Sequence, residues 1–233
     1  TSEQAQQIIE MLLPLLRRPG KQVPERVKAD ILTTLHALLP SVNDFTDLES
    51  TFHRGIYNSL ASLFRSLYTR AARDSLVKAF QTFTLANPAL SSIINVIGEI
   101  NAFSVKRIDE PDFDRRLTGY ARINDAHTTY GLSHWIPLLH NFLFYIQDAE
   151  ELTIRSNAST CLKLFIDFVI RGETSEEKDN VLLNLLYPGL RNVLNNKSEL
   201  VRAEALGVLA YAVSQCTHLE VFAEMQTLMA EDE

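Results

Sequence analysis

Turn-forming residues are scarce in this chain. Glycine and proline number eight each in 233 residues, too few for the many tight turns of an all-β fold. Long apolar runs are missing as well: Arg, Asp, Asn or Gln cuts each one before it approaches the ~20 residues a membrane span needs. The opening stretch TSEQAQQIIEMLLPLLRRPG has acid ahead of its apolar segment and no small-residue cleavage site, so it is not a secretory signal. Cysteine is limited to Cys161 and Cys216, both in apolar helical contexts. They read as reduced, buried thiols of an intracellular protein rather than as a disulfide. Without a signal, the triplets starting at Asn157 and Asn196 read as chance matches to the glycosylation pattern. The chain starts without Met and stops inside a helical pattern, as a piece of a longer protein would.

Catalytic signatures are also missing. Gly20-Lys21 has no upstream glycine and is followed by Gln22, which excludes a phosphate-binding loop. No G-x-G-x-x-G occurs. Gly131 and Ser133 begin a nucleophile elbow, but Trp135 holds the place of its second glycine and no strand precedes it. The six histidines form neither H-E-x-x-H nor a Cys/His cluster. His134 and His140 read as partly exposed or core residues rather than zinc ligands. Asp109, Glu110, Asp112 and Asp114 make an acidic knot that lacks the glycine and final glutamate of a calcium loop, so it reads as a solvated connector. The expectation is a non-enzyme, with no catalytic residue, cofactor or metal.

What is present is helical periodicity. The composition, 46% hydrophobic and 22% charged, is that of an ordered protein. Apolar residues recur at three and four in Ile8 to Leu16, Val27 to Leu39, Ile56 to Leu67, Leu76 to Phe83 and Ile93 to Ile100. Pro40 stops the second stripe and Asn87-Pro88 the fourth. A polar connector, KRIDEPDFD, leads to a weaker helix over Asp114 to Thr129. Stronger segments follow at Trp135 to Gln147, Glu151 to Arg171, Glu177 to Asn195 and Glu199 to Gln215, with a last start at Leu219 to Ala230. This gives about eleven helices and no convincing strand.

Two of the late helices repeat one another. Ile154-Arg155 aligns with Val201-Arg202, Ala158 with Ala205, Cys161 with Val208 and Phe165 with Ala212, all at an offset of 47. The helices before them correspond at 48, through Leu138, Phe142 and Ile146 with Leu186, Leu190 and Leu194, and Asp148 stands opposite Asn195. Helices of a bundle have no reason to recur in register, whereas two helices per ~40 to 47 residues is the HEAT/armadillo period. The fold expected is an all-α solenoid of about five two-helix repeats, over 1–40, 45–87, 88–130, 131–172 and 175–216, with another starting at 217–233. Ala158 and Ala205 would be small because helices approach closely there. Asp148 and Asn195 would bond nearby backbone in the turns.

Charge is the remaining functional signal. The net is −7, and an even distribution would repel nucleic acid. The cations cluster, however: Arg17, Arg18, Lys21, Arg26 and Lys28 in one group, Arg65, Arg70, Arg73 and Lys78 in a second, and Lys106, Arg107, Arg115, Arg116 and Arg122 in a third. Each group reads by default as a solvated rim, and alternatively as a surface for phosphates. Trp135, Phe142, Phe144, Tyr145, Phe165 and Phe168 fall mostly on core-facing stripes, which favours packing over base stacking.

The stretches SVKRIDEPDFDRRLTGYARIND and WIPLLHNFLFYIQDAEELTIRSNASTCLKLFIDF carry a further signal. Through Lys106 to Asp109, Asp112 to Arg116, Trp135, Pro137, Asn141, Phe144, Ile146 to Asp148, Glu150 to Leu152, Ile154-Arg155 and Asn157-Ala158, the chain resembles the very large DRIM-type HEAT proteins. These are the U-three small nucleolar RNA-associated scaffold "twenty" group of the small-subunit processome. The resemblance covers about residues 104 to 170; the remainder matches as generic HEAT repeat. It implies a non-catalytic nucleolar scaffold needed for maturation of small-subunit ribosomal RNA. Such a scaffold would bind ribosome-assembly proteins, with pre-ribosomal RNA as a further ligand, and would need neither membrane nor small-molecule substrate. It further implies that Arg155 and Arg202 pair with the aspartate of a neighbouring unit, in a ladder that Asn195 interrupts. The residues expected at partners or RNA are Lys106, Arg107, Arg115, Arg116, Arg122, Arg17, Arg18 and Lys21. Two other readings stay open at this point: a transport- or phosphatase-type adaptor holding protein cargo, and the helical portion of a giant kinase.

Overall fold

The computed structural model describes residues 1–171, 175–216, 223 and 227. It is all-helical, and the helices follow the apolar stripes: α1 (Ser2–Leu16), α2 (Glu25–Leu38), α3 (Thr51–Leu63), α4 (Arg70–Gln81), α5 (Ser91–Ile100), α6 (Phe113–Ala126), α7 (Leu132–Tyr145), α8 (Leu152–Ile170), α9 (Glu176–Val181), α10 (Tyr187–Val193) and α11 (Glu199–Cys216). The last expected helix, Leu219 to Ala230, lies outside the described residues apart from Ala223 and Thr227. Among the described residues no strand forms; the nearest approach is one isolated bridge, Phe103 with Pro111.

Local chemistry sets the boundaries. Thr1 and Gln4 form a capping box on α1, and the Ser50 hydroxyl accepts the His53 N–H at the start of α3. Pro40 and Pro88 each fall within a short 3-10 turn, and the Asn87 side chain accepts the Ala89 N–H. The single run expected over Glu177 to Asn195 is continuous but uneven. Between α9 and α10, Leu182–Leu186 widens into π-helix. Pro188 supplies the reason, since it lacks the N–H that would bond the carbonyl four residues earlier.

The chain divides into two compact units, Thr1–Gly119 and Tyr120–Glu233. In the first, α1 packs on α2 and α3 on α4, while α2 lies along α4, α1 touches α3 and α5 packs on α4. Its core includes the fully buried Leu32, Leu35, Leu60, Phe64, Leu76, Phe80 and Ile97. Phe45, His53, Tyr57, Phe80 and Phe83 form one aromatic cluster with centroids 5.0–6.3 Å apart. Polar bonds join the helix pairs: His36 Nδ1 meets the Thr82 hydroxyl at 2.8 Å, and Arg17 donates to the Ser59 hydroxyl at 2.8 Å. Gly119, on α6, lies against α5 so closely that a Cβ would sit 2.8 Å from Ile100 Cγ2.

In the second unit α7 packs on α8 and α10 on α11, while α8 lies along α11 and α7 touches α10. The aligned positions Ile154 and Val201, Ala158 and Ala205, Cys161 and Val208, and Phe165 and Ala212 are all buried. Trp135 is fully buried, edge-on to Phe165 with ring centroids 5.7 Å apart. Phe142 and Tyr145 are buried as well, and Phe144 and Phe168 are half-buried in ring contacts. The Tyr211 hydroxyl donates to Asp167 at 2.6 Å, joining α11 to α8. A Cβ on Gly189 would overlap the Leu143 side chain, so α10 and α7 meet at van der Waals contact there.

Gly119→Ala is expected to push α6 off α5 and destabilise the protein by about 1–3 kcal/mol, as overpacking does. Urea unfolding followed by circular dichroism would show this as a lower midpoint at unchanged slope.

Candidate functional site

One basic residue occupies the fourth position of α2, α4, α6, α8 and α11: Lys28, Arg73, Arg116, Arg155 and Arg202. The first four are buried, with exposures of 7%, 1%, 5% and 2%, and Arg202 is half-buried. The arginines reach back to carbonyls at the end of the preceding helix or in the turn after it. Arg73 bonds the carbonyls of Phe64 and Leu67 and the side chain of Asn101. Arg116 donates to the Ala102 carbonyl at 3.0 Å and stacks over the Phe103 ring. Arg155 donates to the Asp148 carbonyl at 2.7 Å, and Arg202 to those of Asn196 and Lys197 at 2.8 and 2.9 Å. Carbonyls in such a turn lie outside the intrahelical ladder, and a guanidinium satisfies them with charge-assisted bonds.

This arrangement corrects three expectations. Among the described residues Arg155 and Arg202 form no ion pair with an aspartate, and each donates instead to carbonyls of its own turn. The Asp148 carboxylate instead accepts the N–H groups of Glu150 and Glu151 at 3.1 and 2.9 Å. Asn196, not Asn195, plays that part in the later turn, accepting the Ser198 N–H at 2.9 Å. The turn therefore keeps the offset of 48 seen in the helices before it. Finally, Lys28, Arg73 and Arg116 leave the set of exposed cations, since each is buried.

The remaining candidates are on the surface. The three connections joining α1 to α2, α3 to α4 and α5 to α6 meet side by side in the first unit. Glu25 accepts the N–H groups of Tyr68 and Thr69, linking the first connection to the second. Arg70 donates to the Ser104 carbonyl at 3.1 Å, linking the second to the third. This edge gathers exposed Arg17, Arg18, Lys21, Arg26, Arg65, Lys106, Arg107 and Arg115. Arg17 is bonded to Ser59, and Arg107 forms an ion pair with Glu110 at 2.6 Å. Arg122 is exposed too, and belongs to the second unit.

The third connection, the KRIDEPDFD stretch, is ordered by its own bonds. Ser104 N–H donates to the Glu110 carbonyl at 2.8 Å and Asp112 N–H to the Ala102 carbonyl at 3.0 Å. Asp109 adopts φ 57°, turning the chain back. Arg70 and Arg116 both lie over the Phe103 ring at its base. The acidic residues here are spread along that turn, and among the described residues no three His, Cys, Asp or Glu side chains are placed to hold a metal ion.

Cys161 and Cys216 are free and buried, as expected. Burial pushes the Cys161 thiol upward, and Cys216 is pushed up to about 11 by burial, with the Asp179 charge adding to it. Their role is packing.

The class these features define is an all-helical protein of paired helices, marked by a charged edge rather than by a pocket of converging chemical groups. Comparison with known proteins narrows this. The family described as "U3 small nucleolar RNA-associated protein 20, N-terminal" matches residues 1–198. The chain is 35% identical over 234 residues to the U3 small nucleolar RNA-associated protein 20 of Schizosaccharomyces pombe, across 96% of this chain and 9% of that one. It is 30% identical over 227 residues to the Saccharomyces cerevisiae protein of the same name, across 95% and 9%. The chain belongs to this family, and it spans 9% of the length of these relatives.

Arg73→Ala would leave the Phe64 and Leu67 carbonyls buried without their donor, and is expected to cost about 2–5 kcal/mol, against less than about 0.5 kcal/mol for Arg65→Ala. Chemical denaturation of the two variants side by side checks the contrast. For the thiols, a raised pKa means that folding favours the protonated form. That contribution is complete below the unfolded thiol pKa of roughly 8.5 and falls as pH rises toward the folded values. Ellman's reagent at pH 8 should therefore label neither cysteine in the native protein and both in denaturant.

Proposed function

We propose that this chain is a section of a non-catalytic α-solenoid scaffold serving small-subunit ribosome biogenesis. The observation that carries the reading is the family match over residues 1–198, with relatives named for association with U3 small nucleolar RNA. In this reading residues 1–40, 45–87, 88–130, 131–172 and 175–216 are successive HEAT-like repeats, and 217–233 begins another. The return of one basic residue at the fourth position of the second helix in each pair supports that division, as does the packing of α2 along α4 and of α8 along α11.

The scaffold works in the nucleus, in the nucleolus, inside a large ribonucleoprotein particle. Its action is geometric: stacked helix pairs present long surfaces that hold several assembly proteins, and pre-ribosomal RNA beside them, through many modest contacts. Lys106, Arg107, Arg115, Arg122, Arg17, Arg18 and Lys21 are the side chains it offers for that purpose; Arg116 works inside the fold. No cofactor, small-molecule substrate or membrane enters the mechanism.

Sedimentation of the tagged full-length protein from cell extract, with and without ribonuclease, tests this. Fast migration with small-subunit ribosomal RNA precursor, lost on ribonuclease treatment, is the expected result. Slow migration with protein partners alone, indifferent to ribonuclease, would replace the reading with that of a cargo adaptor.

A further inference from the structure

The acidity of the chain is concentrated in one part of it. Residues 1–119 carry fourteen Lys and Arg against thirteen Asp and Glu, and residues 120–233 carry eight against sixteen. Within the first unit the charges are again separated. Arg18, Lys21, Arg26, Arg65, Lys106 and Arg115 are exposed and form no ion pair among the described residues. All six lie on or beside the α1–α2, α3–α4 and α5–α6 connections, which the Glu25 and Arg70 bonds hold side by side.

The acids of that edge are largely engaged. Glu25 is bonded to Tyr68 and Thr69, Glu110 to Arg107, Asp74 to Arg70, and Asp112 accepts the Arg115 N–H; Asp109, Asp114 and, at the end of α5, Glu99 complete the set. The opposite helix ends have the reverse balance. Glu3, Asp44, Asp47 and Glu49 sit there with Lys78, in the last turn of α4, and Arg54, which is paired with Glu49 at 3.7 Å; the Asn43 N–H bond to the Ser2 hydroxyl brings the start of α1 to the α2–α3 connection.

A row of unpaired cations spread over three consecutive connections suits a repeating anion better than a single one. A largely exposed aromatic side chain stands among them: Tyr68, on the middle connection, is 69% exposed. A basic track with an exposed ring supplies the two elements of single-strand binding, phosphate neutralisation and base stacking. We propose that the α1–α2/α3–α4/α5–α6 edge of the first unit binds the phosphate backbone of single-stranded RNA, with Tyr68 stacking one unpaired base. The site rests on the ribosome-biogenesis reading only for the source of that RNA.

The test is fluorescence anisotropy with residues 1–233 and a labelled, unstructured RNA of about 12 nucleotides, a length suited to such tracks. Four to six neutralised phosphates predict a salt slope of about −3 to −4, a loss of roughly 60- to 250-fold between 50 and 200 mM salt. The combined variant Arg18→Glu, Lys21→Glu, Arg65→Glu, Lys106→Glu should abolish the slope and most of the affinity while keeping native helicity. A charge-matched variant at residues outside the three connections (Lys78→Glu, Lys163→Glu, Arg171→Glu, Lys197→Glu) should stay within a few-fold of wild type. Tyr68→Ala should weaken binding at least about fivefold with the slope retained. Equal losses in the two charge variants, or none in the first, would overturn the edge as the site. An unaffected Tyr68→Ala variant, or equal competition by a duplex of the same sequence, would overturn the single-strand assignment. If binding fails but the full-length protein still sediments with pre-ribosomal RNA, the scaffold reading stands and this site does not.

Discussion

The structure depends on the bond between a basic side chain and the carbonyls of the turn that precedes its helix. A tight turn between paired helices takes those carbonyls out of the intrahelical ladder. Arg73, Arg116, Arg155 and Arg202 each supply donors from the first turn of the helix that follows. Because the donor is always the fourth residue of its helix, it fixes how that helix enters the turn. The helix pairs can then lie against one another through largely apolar faces, α2 along α4 and α8 along α11, with single polar bonds such as Tyr211 to Asp167 between them.

The same bond sorts the cations. An arginine that braces a turn is drawn in from the surface, and one placed a residue earlier stays exposed. Arg115 and Arg116 make the division plain: adjacent in sequence, one is exposed, and the other is buried against Ala102 and Phe103. The acids show a parallel division. Glu25 and Asp112 hold backbone N–H groups at helix starts, where the helix dipole favours a negative group. The charge left over is what a partner meets, and in the first unit it lies unevenly between the two ends of the helices.

Much of the fold was legible in the residues because helix formation and burial follow local spacing. The stripes at three and four gave nearly every helix, and Pro40 and the Asn87-Pro88 pair marked two of the breaks. The matched pairs Ala158 with Ala205 and Cys161 with Val208 are buried as their common offset implied. The π-helical stretch at Leu182–Leu186 was not legible, since Pro188 announces a disturbed helix without saying how the run absorbs it. The turn was misaligned by one residue, and only the hydrogen bonds of Asp148 and Asn196 restore it. The recurring basic residue escaped the repeat comparison outside the last two pairs, because Lys28, Arg73 and Arg116 stand among other cations in unlike sequence. Helix position was the signal that could have found them.

The amino-acid sequence by itself determined the all-helical class, the pairing of the helices and the family, because each rests on patterns between residues near in the chain or on similarity along it. Tertiary structure alone decided which cations are spent inside and which remain outside. It also decided that connections some forty residues apart lie side by side, through Glu25 at Tyr68 and Thr69 and Arg70 at Ser104. The physical reason is that the burial of a charge depends on which carbonyls the fold brings within its reach, and those carbonyls belong to the turn before its helix rather than to the helix itself.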